Sequence, residues 1–341
     1  MKAKVFSLVL LLGATLFLFG CGGRTASAPE PQVAAFSPIK VIATFYPVAF
    51  LAEQVGGERA EVVSLVPPGA EAHHWEPTAR QMSLLQEAQV FVFNGAGMEP
   101  WAERLVQLPE NQRLIVVEAS SGLELLKYIH LPAEQEKKHD HNHRHTKDHD
   151  QKEGESLKKD EHHHGEYDPH VWLDPLLTKQ MAANIAAGLK QADPEGAAIY
   201  QKNLAALQER LNNLHARYQA ALHDKAGQAI VTSHAAFGYL THRYGLVQVP
   251  IMGLSPEAEP SPAQMARLVR MVRETGVKFI FSETLANPRI AETLAKEVGA
   301  QVLILNPLEG LTKEQELAGE DYFSIMEKNL INLKLGLGVQ K

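Results

Sequence analysis

From Lys40 onward the chain alternates short β-rich runs with stretches of helical periodicity. Residues 41–45, 61–66, 90–93 and 114–117 predict strands, and 49–55, 78–87 and 99–106 predict helices between them. Asp174 can cap a helix that opens with Pro175, and Asp193-Pro194 repeats the signature. From there Tyr200, Leu204, Leu207, Leu211, Leu214, Tyr218 and Leu222 recur at steps of three and four. That is one apolar face over roughly thirty residues, or ~43 Å of helix at 1.5 Å per residue. A helix this long in mid-chain can join two domains stiffly. A second series follows, with strands at 229–232, 247–251, 279–282 and 302–305. Its helices fall at 236–244, 262–274, 289–298 and 322–335. Strand-helix alternation predicts an α/β fold with mostly parallel sheet. Ligand sites in such sheets gather beyond the carboxyl ends of the strands.

The ends of the pattern differ from its middle. Lys2 and Lys4 precede an apolar run over 5–19 that is too short for a comfortable membrane span. Residues 1–20 therefore read as a signal peptide. The run closes on Leu18-Phe19-Gly20-Cys21, which resembles a bacterial lipobox. The resemblance implies lipidation of Cys21, the chain's one cysteine, and anchoring to the outer face of a membrane. Residues 21–38 are then the lipidated N-terminus and a Gly-, Ser-, Ala- and Pro-rich tether.

Composition narrows the function. The 341 residues suffice for two domains, and 45% hydrophobic content can build packed cores. A net charge of −7 argues against nucleic acid and suits cations. One cysteine excludes thiolate-rich zinc sites. Residues 133–166 hold half of the sixteen histidines, as His139, His141, His143, His145 and His149, then His162, His163 and His164. Leu157 is nearly the only large aliphatic residue there, so the segment is expected to be disordered. Its imidazoles favour zinc, copper or nickel.

Four strand-end stretches carry the candidate chemistry. The first, 66–77, is a proline-stiffened loop with adjacent His73 and His74, of which one is expected to reach a shared centre. The second is Asp168-Pro169-His170-Val171-Trp172-Leu173-Asp174-Pro175. Its prolines restrict the backbone beside His170, and Asp168 or Asp174 could accept the second imidazole N–H. The third places His234 at a strand-to-helix junction, and the fourth ends at Glu309. Glu283 follows another strand. His215, His223 and His242 fall inside helices and read as ordinary helical residues. Three imidazoles and a carboxylate suit tetrahedral Zn2+.

These stretches, as Ala72-His73-His74-Trp75-Glu76-Pro77, the octapeptide around His170, Ser233-His234-Ala235-Ala236-Phe237-Gly238-Tyr239 and Asn306-Pro307-Leu308-Glu309, give the chain its likeness. From about residue 38 to the end it resembles the substrate-binding lipoproteins of bacterial zinc and manganese ABC importers, with the histidine-rich loop as an insert. In the family pattern the first ligand stands three residues before the Glu of Glu76-Pro77, which selects His73. The resemblance carries the others onto His170, His234 and Glu309, with Glu283 as runner-up and more naturally a hydrogen-bond acceptor. Manganese members tend to have a carboxylate at the third position, so His234 implies zinc.

The resemblance further implies two α/β lobes, 39–192 and 224–341, joined by the helix of 193–223, with metal in the cleft. It implies an extracytoplasmic zinc receptor, expected to be monomeric, that serves a membrane permease with its cytoplasmic ATPase. A manganese receptor or a metal-dependent adhesin is the alternative within the family. A zinc hydrolase is the alternative outside it, but four protein ligands leave no position for water, and H-E-x-x-H and G-x-S-x-G are absent.

Overall fold

The computed structural model describes residues 37–106, 113–128, 166–254, 256 and 260–339. The expected signal peptide, Cys21, residues 22–36 of the tether and the eight histidines of 133–166 lie outside them.

The two series of strands build two parallel sheets. Strands β1 (Ile39–Ala43), β2 (Ala60–Ser64), β3 (Val90–Phe93) and β4 (Ile115–Glu118) pair in the order β2-β1-β3-β4. Strands β5 (Ala229–Thr232), β6 (Val247–Pro250), β7 (Phe279–Ser282) and β8 (Gln301–Ile304) repeat that plan as β6-β5-β7-β8. In both, the chain reverses its direction of travel between the two central strands. That crevice is where α/β sheets hold ligands.

Alternation along each strand divides its side chains between two faces. Ile42, Phe91 and Phe93 pack with Leu65, Leu85 and Trp101 on the outer face of the first sheet. Val231 and Ile280 do the same with Met252, Leu268 and Leu294 on the second. The inner faces, through Val41, Val90, Ile230 and Phe281, join one core that runs through both lobes and includes Trp172, Tyr218 and Tyr322.

Helices carry that shared core. In the first lobe they are α1 (Tyr46–Gly56), α2 (Ala79–Leu84), α3 (Pro100–Val106) and α4 (Pro175–Ala192). Asp174 caps α4, its carboxylate accepting the Leu176 N–H, with Pro175 at the first position. The long helix α5 (Ala197–Leu222) buries the seven apolar residues that its periodicity singles out. It packs on α1 and α4, and also on α6 (Gly238–Tyr244) and α10 (Tyr322–Gly336) of the second lobe. The remaining α-helices among the described residues are α7 (Pro262–Thr275), α8 (Arg289–Val298) and the short α9 (Lys313–Leu317).

Two details depart from the sequence reading. The long helix does not start at 193. Residues Pro194–Gly196 form a separate 3-10 turn capped by Asp193. Asp193 there also accepts a two-pronged ion pair from Arg59 and the Tyr200 hydroxyl. A Cβ on Gly196 would stand 2.3 Å from the Asp193 carboxylate and 2.6 Å from Arg59 Nε, so a side chain here would displace this ion pair. The second departure is α9. Its five residues form on a capping box between Thr312 and Gln315, with no apolar stripe to announce it.

The shared core yields a stability expectation. Leu211 is fully buried at the middle of α5. Leu211→Ala should destabilise the metal-free protein by about 2–5 kcal/mol. Denaturation followed by probes in each lobe should show both midpoints falling together, and a drop confined to one lobe would contradict a common core.

Candidate metal centre

Each donor is aimed by a bond from a side chain to backbone; His170 departs from the strand-end expectation, standing between the bridge residue Tyr167 and the 3-10 turn Val171–Leu173. The loop after β2 crosses to the second lobe, where Gly69 N–H donates to the Leu311 carbonyl at 2.8 Å. Gly69 has φ +84°, a conformation suited to glycine. The Glu71 carboxylate then accepts the backbone N–H groups of His73 at 2.7 Å and His74 at 3.3 Å. The resulting turn sends His73 into the cleft and leaves His74 exposed.

His170 and His234 are held by the same device in two lobes. Asp168 Oδ1 accepts both the backbone N–H of His170, at 3.0 Å, and its Nδ1–H, at 2.7 Å. Glu283 accepts the backbone N–H of His234 at 3.1 Å and its Nδ1–H at 2.7 Å. A carboxylate on Nδ1 selects the tautomer whose Nε2 lone pair points away, into the cleft. Of the two aspartates flanking His170, Asp168 therefore does this work. Asp174 instead caps α4 and binds the Arg243 guanidinium at 2.7 Å. Glu283 touches the ring nitrogen of His234 that faces away from the cluster.

Glu309 reaches the cluster on a tense backbone. Leu308 before it has φ +61°, which is costly for a residue with a β-carbon. Asn306 accepts the Leu308 N–H at 2.7 Å, and Asn329 in α10 bonds Asn306 on both its N–H and its carbonyl at 2.8 Å. Trp172 Nε1–H donates to the Pro307 carbonyl at 2.7 Å, tying this loop to the octapeptide of the first lobe.

The structure thus brings His73, His170, His234 and Glu309 together, each offering one ligand atom within 4.8 Å of the others. His73 Nε2 lies 3.3 Å from His170 Nε2 and 3.3 Å from Glu309 Oε1. His234 Nε2 lies 3.4 Å from His170 Nε2 and 3.2 Å from Glu309 Oε1. His170 Nε2 to Glu309 Oε1 is 3.4 Å. Donors placed ~2.0–2.1 Å from a tetrahedral zinc stand about 3.3–3.4 Å apart. In their neutral forms His170 and His234 would face each other lone pair to lone pair. A cation or a proton between them removes that repulsion.

Burial and charge act strongly on these groups. Burial would lower the pKa of His234, but the Glu283 charge and hydrogen bond, with Glu309 behind them, push it up to about 10. Burial likewise opposes protonation of His170, and Asp168 and Glu309 outweigh it, leaving its pKa raised. Glu309 is driven upward by burial, yet the charge of His73 and hydrogen bonds from the three imidazoles hold it well below the ordinary carboxylate range. Without a cation beside it, the His234 imidazole therefore carries a proton at neutral pH.

The other candidates stand elsewhere. His215 stacks on Tyr244 and meets its hydroxyl at 3.3 Å, while His223 meets the Ala220 carbonyl at 2.9 Å. His242 is exposed on α6. Sequence reasoning missed Glu71, whose signal was only its place two residues before His73.

Residues 41–336 match the family model described as zinc-uptake complex component A, periplasmic (ZnuA). The zinc-binding lipoprotein AdcA of Streptococcus pneumoniae (strain ATCC BAA-255 / R6) is 37% identical over 331 residues. The match takes in 97% of this chain and 60% of AdcA, so the chain spans well under two thirds of that relative. The high-affinity zinc uptake system protein ZnuA of Bacillus subtilis (strain 168) is 34% identical over 340 residues, the whole length of both chains. The Zn(II)-bound ZnuA-like domain of Streptococcus pneumoniae AdcA superposes with a TM-score of 0.71 at 35% identity, covering 88% of this chain and 99% of that one. With a family match over most of its length and the same fold in a solved relative, this chain belongs to the ZnuA family of periplasmic zinc-uptake components.

Proposed function

We propose that the chain is an extracytoplasmic receptor that captures Zn2+ through His73, His170, His234 and Glu309 and hands it to an ABC permease with its cytoplasmic ATPase. The observation that carries this is the set of five donor separations between 3.2 and 3.4 Å, the spacing of a tetrahedral zinc shell. The relatives, a zinc-binding lipoprotein and a high-affinity zinc uptake protein, support the same cargo. In this reading 39–192 and 224–341 are the two lobes and 193–223 the joint. Cys21 is the lipid attachment point and holds the receptor at the outer face of the membrane. Among the described residues no helix is long and apolar enough to cross a membrane. Four protein donors fill a tetrahedral shell, which leaves no place for the water that a zinc hydrolase activates, so the chain binds rather than catalyses.

The test separates two histidine populations. The three cleft histidines are fixed by neighbouring carboxylates and Glu309 by the Asn306–Asn329 pair, whereas bringing several histidines of 139–164 to one ion is expected to cost ~1–2 kcal/mol per backbone residue ordered. Calorimetric titration should give one tight zinc event and weaker ones. Deleting residues 137–164 should remove the weak events and keep the tight one, and zinc should displace manganese with little reverse exchange. Loss of tight binding on the deletion, or equal affinity for the two metals, would sink the proposal.

A further inference from the structure

The switch point of the second sheet serves the metal cluster directly: His234, one of the four donors, follows β5, and Glu283, which bonds its ring from behind, follows β7. The equivalent strands of the first sheet are β1 and β3, and their ends carry Thr44 and Asn94 instead. Neither belongs to the metal cluster, yet both are fully buried polar residues. Glu99, only 4% exposed, fastens them together. One oxygen accepts the Thr44 hydroxyl at 2.5 Å and the Asn94 N–H at 2.9 Å, and the other accepts the Gly95 N–H at 3.1 Å.

This arrangement is costly for a turn. Gly95, Ala96 and Gly97 all have positive φ, at +81°, +53° and +81°, and Ala96 is not glycine. Glu99 has three donors but no cation among its hydrogen-bond partners, and burial pushes its carboxyl up to about 7. The three hydrogen bonds offset only part of the cost of burying this carboxyl, as its raised pKa shows. What the turn produces is an aimed amide. Asn94 Nδ2 donates to its neighbour Gly95 and, at 3.0 Å, to the carbonyl of Pro169, 75 residues away and adjacent to His170.

We propose that Asn94, held by Glu99, is a positioning residue for metal binding: its amide fixes the Pro169 carbonyl and so sets where the His170 imidazole meets the ion. Asp168 controls the rotation of the imidazole, and Asn94 controls the backbone that carries it. The first sheet thus contributes to the centre from its own switch point at one remove, through Pro169 rather than by a ligand. The inference rests on the cleft being the zinc site.

The test uses the full-length chain with Zn2+ for affinity and Co2+ as a spectroscopic stand-in. Asn94→Ala should weaken zinc about 10–100-fold, the range for residues that orient a ligand. It should also alter the visible Co2+ absorption, which reports ligand geometry, at temperatures well below unfolding. Asn94→Asp should be worse, because it turns a carbonyl-facing donor into an acceptor. Glu99→Gln keeps the volume and should shift the same band in a milder way, and it serves if the Asn94 variants do not fold. A residue that merely holds the turn would lower the melting temperature of the metal-free protein and leave both metal readouts at parent values; that result overturns the inference. Absence of tight zinc binding in the parent, or its survival in a His170→Ala control, would instead overturn the cleft assignment on which it rests.

Discussion

His234→Ala is expected to weaken tight zinc binding by about two orders of magnitude while the histidine-rich stretch goes on binding. The magnitude follows from sharing about 10–16 kcal/mol of zinc coordination among four donors, or about 3 kcal/mol each. His234 is the sharpest choice because both its nitrogens are committed. Nε2 faces the cluster, and Nδ1 is bonded to Glu283 at 2.7 Å. Removing the ring takes away a donor and also leaves a carboxylate that is 5% exposed without its main partner. Glu283→Gln separates the two effects, since it keeps the ring and alters only what orients it; it should cost about 10–100-fold. Competition against a chelator of known affinity measures both. A His234→Ala protein that bound zinc as tightly as the parent would remove His234 from the shell.

Zinc capture should expel protons, and its affinity should climb steeply with pH. The His234 imidazole, raised to about 10 in the metal-free protein, is charged at neutral pH, and that proton sits where the ion must bind. His170 is raised in the same direction by Asp168 and Glu309 against the effect of burial. Each proton released makes apparent affinity rise about tenfold per pH unit. Between pH 6 and 8 at least about a hundredfold gain is expected. Titrations in buffers of different ionisation enthalpy should count at least one proton released per zinc. The same shift sets the stability of the empty protein. A histidine raised from about 6.5 when unfolded to about 10 when folded stabilises fully below pH 6.5 and loses that contribution as pH approaches 10. Glu309 acts in the opposite sense, its contribution being present above the ordinary carboxylate pKa and lost in acid. Metal-free melting temperature should therefore fall from pH 6.5 toward 10, with a smaller fall once zinc occupies Nε2. A flat metal-free profile over that range would contradict the charged state of His234.

Much of the frame was legible because local chemistry and packing agree. All eight strands among the described residues lie within two residues of the apolar runs that predict them, as 90–93, 229–232 and 279–282 show most closely. The burial of Tyr200 through Leu222 follows the helical period, since one face of α5 alone meets both lobes. Asp174-Pro175 marked its helix start for the same reason that it forms one. The site was legible only as strand-end histidines and a carboxylate. Periodicity carries no mark of bonds between distant residues. Glu71 turning His73 inward, Asn94 holding Pro169 and Arg243 reaching Asp174 span from 2 to 75 positions without any repeating pattern. The choice of His73 over His74 came from family likeness; its physical cause is the Glu71 turn. The break at Pro194–Gly196 was hidden because the apolar stripe begins only at Tyr200, beyond the turn.

The octapeptide around His170 is also a set of rivets. Its Trp172 indole holds Pro307, its Trp172 carbonyl takes the Tyr322 hydroxyl, Asp174 grips Arg243, and the Asp168 carbonyl takes the Tyr239 hydroxyl. Every one of these partners belongs to the other lobe. A receptor riveted so close to its cargo has little outline to change between loaded and empty. The permease of the proposed function, if it gauged overall shape, would find almost the same object twice. Under the proposed function any sign of loading is therefore local, and His73, the least buried of the four donors, is the place with most room for it.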